Sequence, residues 1–350
     1  MDIKSNSPLQ KVPNDYTLGE AYNCWFNLPA GPDKGKKLFY FDYQTVEPYE
    51  KVVLFVHGNP ESSYTYRHIR DKIVKSSAAV RIIAMDHIGF GISDRATYEM
   101  IDIHHAFNLK LLVQELDLQN IILVIHDWGG PIGVGALIDT PQKVVGLVAM
   151  NTTIFPMPKE GYKYTNFPFL ILPWSYTPYF IPNAVWGGLA AYVVSNGHPQ
   201  GFFTFVFQSM KRFWRHLFQS FDENNPEYIW SQMLRDAMNV ASSKRQVLQT
   251  PVWGYGYEYQ DKKLGKVSNH AFYKNIQSTI AKKWKNIKVA GFFGLWDACG
   301  KKEVIQQWQE ALPQISNHLY QYKEVGHFVE EYKGKEIGET IVGFLKSKNS

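Results

Sequence analysis

Runs of β-branched and other apolar residues alternate with longer mixed segments through the first 151 residues of the chain. The apolar runs at 38–43, 52–57, 80–86, 121–127 and 145–151 predict strands. Between several of them, polar and apolar positions recur with the spacing of helices, at about 63–77, 104–118 and 130–139. Short strands alternating with helices are typical of an α/β fold, in which a mostly parallel sheet has helices on both faces.

The alternation stops after residue 151 and resumes near residue 287. No charged residue lies between Lys163 and Lys211, and this stretch is rich in aromatic residues and in prolines, which argue against a membrane-spanning helix. Further along, 287–294 and 318–324 predict strands, and 302–311 and 337–346 predict helices. We therefore expect an α/β core made of residues 1–150 and 287–350, interrupted by a mainly helical cap inserted at 151–286.

Composition favours a globular protein of ordinary polarity. Of the 350 residues, 45% are hydrophobic and 20% are charged, whereas the aromatic fraction of 15% is high. The net charge of +5 comes from scattered Lys and Arg residues, which favour a solvated surface over a nucleic-acid site. Cys24 and Cys299 are predicted to be free thiols. No segment suits a signal peptide or a membrane span, so the sequence predicts a cytoplasmic protein.

An apolar run ends at Asp127, and small residues follow at the start of the next predicted helix. This is the layout of a nucleophile elbow, a sharp strand-to-helix turn that holds a nucleophile above a parallel sheet. A carboxylate nucleophile suits substitution at carbon and forms an ester that water must then hydrolyse. The alternative is that Asp127 only caps the helix that follows it. The other loops of the chain favour the nucleophile.

Residues for the remaining steps follow other predicted strands, whose carboxyl ends meet at one edge of an open parallel sheet. His327, just past the last strand, takes the position of a general base and needs an acid to fix its tautomer. Two strand ends could supply that acid. One offers Asn151, which carries no charge, so Asp297 remains by elimination. Main-chain N–H groups that stabilise negative charge on oxygen are expected at Asn59 and at Trp128, the residue after the nucleophile.

Three other patterns do not indicate a site. The glycines of the loop at 86–94 lack the third glycine and the helix start that phosphate binding needs. Asp102, His104 and His105 have no second ligand cluster at a recognisable spacing, which favours a helix start with surface histidines over a metal site. The segment 254–259 predicts a loop or hairpin without an assigned role.

Four motifs together resemble the haloalkane dehalogenases of the α/β-hydrolase fold. They are His57-Gly-Asn-Pro60, the loop 86–94, His126-Asp-Trp-Gly-Gly130 and Gly326-His-Phe328. The resemblance covers most of residues 37–151 and 286–345. It implies a small hydrophobic substrate, a halide product, and a leaving group held by the Trp128 indole and the Asn59 side-chain amide. It implies no cofactor, no metal and no nucleic acid.

Two related activities stay open. The loop 86–94 and the segments 126–130 and 151–156 also resemble the dehalogenase subgroup that includes bacterial β-lactone decarboxylases, which form long-chain olefins with the same set of residues. A long apolar tunnel would suit such substrates, because each buried CH₂ contributes roughly 0.8 kcal/mol. Epoxide hydrolases share the Asp-His-Asp set, but they usually have an aromatic residue in place of Asn59 and Gly in place of Ile125. Glu61 departs from the family, since a small hydroxyl residue is often seen there.

The uncharged aromatic stretch at 164–210 has four interpretations, which the sequence leaves open. It could form the core of the cap, a substrate tunnel, a contact with a second copy of the chain, or a contact with a membrane surface. A non-catalytic binding module is the alternative to an enzyme. The presence of Asp127, His327 and Asp297 together argues against it, because a binding protein does not need all three.

Overall fold

The structure is a computed structural model that describes residues 1–158, 174–198 and 200–347. Its strands are β1 (Asn23–Asn27), β2 (Lys37–Gln44), β3 (Lys51–Val56), β4 (Val80–Met85), β5 (Ile121–His126), β6 (Val144–Met150), β7 (Glu258–Asp261), β8 (Gly265–Ser268), β9 (Lys288–Gly294) and β10 (Leu319–Tyr322). Eight of these strands form one sheet in the order β1-β2-β4-β3-β5-β6-β9-β10. The pairs from β4 to β10 are parallel, whereas β1 and β2 are antiparallel additions at one edge.

Helices cover both faces of this sheet and fill the segment between β6 and β9. They are α1 (Arg67–Val74), α2 (Asp102–Glu115), α3 (Gly129–Leu137), α4 (Thr177–Phe180), α5 (Asn183–Ser195), α6 (Phe202–Leu217), α7 (Pro226–Met233), α8 (Ala237–Leu248), α9 (His270–Lys283), α10 (Lys302–Ala311) and α11 (Val329–Lys346). The predicted α/β fold with a mostly parallel sheet is confirmed.

The two faces of the sheet form two hydrophobic layers because side chains alternate along a strand. In β3, Leu54 packs in the layer that contains residues of α2, α3, α9 and α10, whereas the next residue, Phe55, packs in the layer with α1 and α11. Every residue of β3 and of β5 is buried. This explains why both central strands appear in the sequence as continuous apolar runs.

Three local predictions need correction. β1 was not predicted, and α11 begins at Val329, well before residue 337. Gly334 and Gly338 do not break this helix; they let it approach α1, since a Cβ at Gly334 would lie 2.7 Å from the Cβ of His68 and one at Gly338 would lie 2.7 Å from the Cβ of Lys72. His105 is fully buried against the ring of His87 and is not a surface histidine.

The segment at 151–286, predicted as the cap, contains α4 to α9 and the β7–β8 hairpin. α9 turns back to the sheet, where its Phe272 fills the space left by Gly135 of α3. The division into core and cap stays a prediction, and part of the aromatic stretch, at 164–173, lies outside the described residues. Among those described, no helix is long and apolar enough to cross a membrane. Cys24 and Cys299 are free thiols, as predicted.

One buried cation fixes the end of α11 to the sheet. The Nζ atom of Lys51, the first residue of β3, donates to the carbonyl oxygens of Phe344 (3.1 Å), Leu345 (3.1 Å) and Ser347 (2.7 Å). Carbonyls at the end of a helix have no partner within it, and they carry the negative end of the helix dipole. We therefore expect Lys51→Met to lower the free energy of unfolding by about 1–3 kcal/mol, measured by urea denaturation. Lys285→Met, at an exposed lysine, is the control, and an equal loss in both variants would contradict this role for Lys51.

Candidate active site

β5 and α3 meet in a tight turn at Asp127, whose φ of +51° is in the left-handed region. Few residues other than glycine adopt this conformation, although Asp tolerates it better than most. A Cβ at Gly58 would lie 2.5 Å from the Cβ of Asp127, so only glycine fits beside it. The carbonyl oxygen of Asp127 accepts a hydrogen bond from the Thr152 hydroxyl at 2.5 Å. The loops after β3 and β6 thus hold the predicted elbow, and its carboxylate is almost fully buried.

Three residues predicted from separate loops come together here. His327 Nε2 lies 3.3 Å from Asp127 Oδ1, and His327 Nδ1 lies 2.9 Å from Asp297 Oδ2. Both ring nitrogens of His327 therefore face carboxylates. Asp297 comes from the loop after β9 and His327 from the loop after β10, as the convergence of parallel strands requires.

Asn151 supports Asp297 rather than replacing it. Its side-chain amide donates to Asp297 Oδ2 at 2.7 Å and to the carbonyl oxygen of Gly294 at 3.0 Å, and its own oxygen accepts from the Gly294 N–H at 2.7 Å. The main-chain N–H of Cys299 also donates to Asp297 Oδ2, at 3.1 Å. From the sequence, Asn151 was predicted only as the uncharged alternative to Asp297. Its contact with Asp297 depends on the pairing of β6 with β9, which the sequence does not show.

The electrostatics of the three residues favour an ion pair in the resting state. Burial alone would lower the pKa of His327, but the charge of Asp297 and the hydrogen bonds to Asp127 and Asp297 hold it well above its ordinary value. Burial would raise the pKa of Asp297, and the charge and hydrogen bond of His327 outweigh this effect and lower it. His327 is therefore protonated in the resting site, between the side chains of Asp127 and Asp297.

The two predicted donors lie on either side of Asp127. The main-chain N–H of Asn59 points at Asp127 Oδ2 at 3.4 Å, and the Trp128 indole stacks on that of Trp253 with ring centroids 4.0 Å apart. Within the described parts of the chain, no group accepts a hydrogen bond from the Trp128 indole N–H. The Asn59 side-chain amide is partly engaged, since it donates to the carbonyl oxygen of Ser243 in α8 at 3.1 Å. One of its two hydrogens remains available.

A cavity opens directly above these residues. It contains about 780 Å³ of empty space, counted together with its open mouth. Its wall is mostly apolar and comes from the sheet edge and from the segment between β6 and β9. It includes Met157, Tyr192, Val193, Trp253, Trp296 and Phe328. Of the tyrosines between β6 and β9, Tyr192 lines the cavity, whereas Tyr176 and Tyr179 are exposed.

A second cluster of titratable groups, Glu61, His126 and Glu330, lies fully buried beneath the site. His126 Nδ1 lies 2.8 Å from Glu61 Oε2, and His126 Nε2 lies 2.9 Å from the carbonyl oxygen of His327. A carbonyl oxygen only accepts, so Nε2 donates to His327, and Nδ1 faces the Glu61 carboxyl group. The ligand atoms of the cluster lie within 4.8 Å of one another, a spacing that a metal ion could also bridge. Glu61 is unusual in the sequence, but its partners come from distant parts of the chain and have no local signal.

The two glutamates of this cluster have opposite protonation states. Burial would raise the pKa of Glu61, but the charge and hydrogen bond of His126 outweigh it and lower the pKa. Burial and the nearby charge of Glu61 raise the pKa of Glu330 well above its ordinary value. Glu61 is therefore the carboxylate that pairs with His126, and Glu330 keeps its proton. The Thr65 hydroxyl lies between them, 3.2 Å from Glu61 Oε1 and 3.0 Å from Glu330 Oε1.

Comparison with known proteins agrees with this architecture. The family model for the alpha/beta hydrolase fold matches residues 51–331. A cis-3-alkyl-4-alkyloxetan-2-one decarboxylase from Shewanella oneidensis is 36% identical over 128 residues, which cover 35% of this chain and 38% of that protein. Haloalkane dehalogenase 2 from Mycobacterium tuberculosis is 33% identical over 135 residues, covering 38% and 42%. The chain thus matches about two-fifths of the length of these relatives.

Solved structures share the fold at low sequence identity. The tetrameric haloalkane dehalogenase DpaA from Paraglaciecola agarilytica NO2 has a TM-score of 0.64 and 20% identity, with 95% of this chain and 96% of that chain covered. A bromoperoxidase from Bacillus anthracis has a TM-score of 0.61 and 17% identity, covering 93% and 100%. Likeness at this level establishes the fold, and the same fold carries different activities.

The buried cluster gives a paired prediction. We expect Glu61→Gln to lower the free energy of unfolding by about 3–5 kcal/mol at neutral pH, because it removes the buried carboxylate that pairs with His126. Glu330→Gln should change it by less than about 1 kcal/mol, since glutamine resembles the protonated acid in shape and can still donate. Chemical denaturation of the two variants and of the wild type measures both effects, and the reverse order would place the proton on Glu61.

The same pair predicts how stability depends on pH. The folded wild type holds a proton on Glu330 that the unfolded chain has released above the ordinary pKa of a glutamate. Stability should therefore fall as pH rises from that range toward the raised pKa of Glu330. Thermal unfolding across pH 5–9 should show this decline in the wild type and a smaller one in Glu330→Gln; identical slopes would exclude Glu330 as its source.

Proposed function

The chain belongs to the α/β-hydrolase fold family, and on that premise we propose that it is a haloalkane dehalogenase that works through an alkyl ester on Asp127. The observation that supports this most is the carboxylate at the elbow, which faces a protonated histidine held by a second carboxylate. Its cavity is mostly apolar and suits a small hydrophobic substrate. The reaction needs no cofactor.

In the first step Asp127 attacks an sp³ carbon that carries the halogen. The carbon–halogen bond breaks as the new carbon–oxygen bond forms, and the halide leaves with the electron pair. Asp127 Oδ1, on the side of His327 Nε2, is the nucleophile, and Oδ2, which faces the N–H of Asn59, becomes the carbonyl oxygen of the ester. The Trp128 indole N–H and the remaining Asn59 amide hydrogen are neutral donors for a diffuse anion in an apolar pocket.

In the second step water hydrolyses the ester, and the first step prepares the base for it. Esterification removes the negative charge of Asp127, one of the groups that raise the pKa of His327. His327 then loses its proton more readily and can accept one from the attacking water, while Asp297 stabilises the imidazolium that forms. Charge on the carbonyl oxygen of the ester is stabilised by the main-chain N–H groups of Asn59 and Trp128.

β-Lactone decarboxylation is a second candidate. It is favoured by the 36% identity to the decarboxylase segment and by the mostly apolar wall of the cavity. The two candidates share the site residues and differ in substrate. The two candidates can be separated by incubation with a cis-3,4-dialkyl β-lactone, followed by detection of the alkene by gas chromatography. A decarboxylase would form the alkene, whereas a dehalogenase would form none and would release halide from bromoalkanes. Epoxide hydrolysis is the third possibility to assay.

Halide release from a panel of short and long bromo- and iodoalkanes is the direct test. We expect Asp127→Ala to abolish it because no nucleophile remains. His327→Ala should release at most one equivalent of halide and retain the alkyl group on Asp127, visible as a mass gain on the peptide that carries it. Full turnover by Asp127→Ala would contradict the nucleophile, and steady turnover by His327→Ala would contradict the base.

The stacked indole pair tests the leaving-group donor. Trp128→Phe keeps an aromatic ring against Trp253 but removes the N–H, so we expect the rate of halide release to fall by about 10²–10³. Trp253→Phe, in the same stacked pair, is the matched control, since the indole nitrogen of Trp253 is buried without a partner among the described residues. It should change the rate only a few-fold, and an equal loss in both variants would point to packing rather than to halide binding.

A further inference from the structure

Helix α6 exposes an apolar face to solvent. The exposed fractions are 86% for Phe203, 68% for Phe207, 55% for Trp214 and 71% for Phe218, which directly follows the helix. Val206, Met210 and Leu217 are exposed on the same side. At 3.6 residues per turn these seven positions occupy a stripe roughly 120° wide. An apolar patch of this kind marks an interaction site more often than free surface.

The charges of α6 lie beside this stripe and all have one sign. Lys211 is exposed at its edge, and Arg215, half-buried, lies one turn further along with its guanidinium 3.8 Å from Glu227 Oε2 of α7. Arg212 is on the inner side and pairs with Glu227 of α7 at 2.7 Å. The helix has no acidic residue. A wide apolar stripe of Phe, Trp and Leu with cations beside it is typical of a helix that lies in the plane of a membrane interface.

We propose that α6 docks the protein on a lipid bilayer that contains anionic headgroups, with the stripe in the acyl boundary and Lys211 and Arg215 at the phosphates. Charge favours this occupant over a second copy of the chain. A twofold contact would place the same patch of both copies against itself, so their cations would lie near one another with no acidic group from either helix. Anionic headgroups complement these cations.

The docked helix would be one layer from the active-site cavity. On the inner side of α6, the ring of Phe205 packs edge-on against that of Tyr192 in α5, with centroids 5.1 Å apart. The cavity is lined by Tyr192 and Val193 of α5 and by Asn196, which directly follows this helix. Docking would therefore hold the cavity near the bilayer, where apolar molecules concentrate. Membrane binding by α6 does not depend on which reaction the site performs.

Sedimentation of the full chain with vesicles tests this proposal. We expect the protein to bind vesicles of phosphatidylcholine mixed with phosphatidylglycerol, and to bind vesicles of phosphatidylcholine alone less tightly. The double variant Phe207→Ser/Trp214→Ser should lower the partition coefficient by at least about a hundredfold, because two large side chains no longer enter the bilayer. Lys211→Gln/Arg215→Gln should remove most of the preference for the anionic vesicles.

Val46→Ser is the matched control, since Val46 is 55% exposed and lies in the loop between β2 and β3, at the opposite end of the sheet from the cavity. It should bind vesicles as the wild type does. Thermal unfolding verifies that each variant is folded, as expected for exposed positions. Failure of the wild type to bind anionic vesicles would overturn the proposal. A dimer in light scattering that becomes a monomer in Phe207→Ser/Trp214→Ser, without vesicle binding, would assign the stripe to a second copy instead.

Discussion

The hydrogen bonds of the buried His126 imidazole hold the active-site loops in place. This ring immediately precedes Asp127 and joins the loop after β3, through Glu61, to the main chain of His327. The position of His327 is therefore determined from two sides, by Asp297 at its side chain and by His126 at its carbonyl group. A second contact joins these segments, since the Thr65 hydroxyl lies 3.0 Å from Glu330 Oε1 at the start of α11.

Buried charge in this region is arranged in two layers with the same pattern. In each layer a histidine lies between two acids: Asp127 and Asp297 flank His327 in the upper layer, and Glu61 and Glu330 flank His126 in the lower one. The upper layer opens on the cavity, where the proposed ester would form on one of the two acids. The lower layer is sealed, and a proton on Glu330 already removes the charge of one acid there. The same kinds of group, two carboxyl groups and an imidazole, thus occur once facing the cavity, where the proposed reaction takes place, and once in the sealed interior, where they hold loops together.

Sequence patterns were sufficient for the α/β class, for the family, and for the order of strands and helices in the core, because continuous apolar runs and the turn at Asp127 are local signals. They failed where tertiary contact overrides local preference. β1 is a short antiparallel edge strand with a polar residue at each end, so its apolar pattern is weak. Gly334 in α11 suggests a helix break in the sequence, but in the structure it allows α1 to pack closely against α11. Asp297 could be deduced, whereas its contact with Asn151 depends on which strands are neighbours. Glu61 looked like an exception until Glu330 and His126 were placed beside it.

The lower layer has an evolutionary consequence. Glu61, His126 and Glu330 come from distant parts of the chain, yet they contact one another in a sealed interior. A lineage that replaced Glu61 with a small hydroxyl residue would remove the hydrogen-bond partner of His126 Nδ1 and the charge that keeps the proton on Glu330. Relatives that carry such a residue beside the same histidine should therefore differ from this chain at position 330, because the residues at the two positions are energetically coupled.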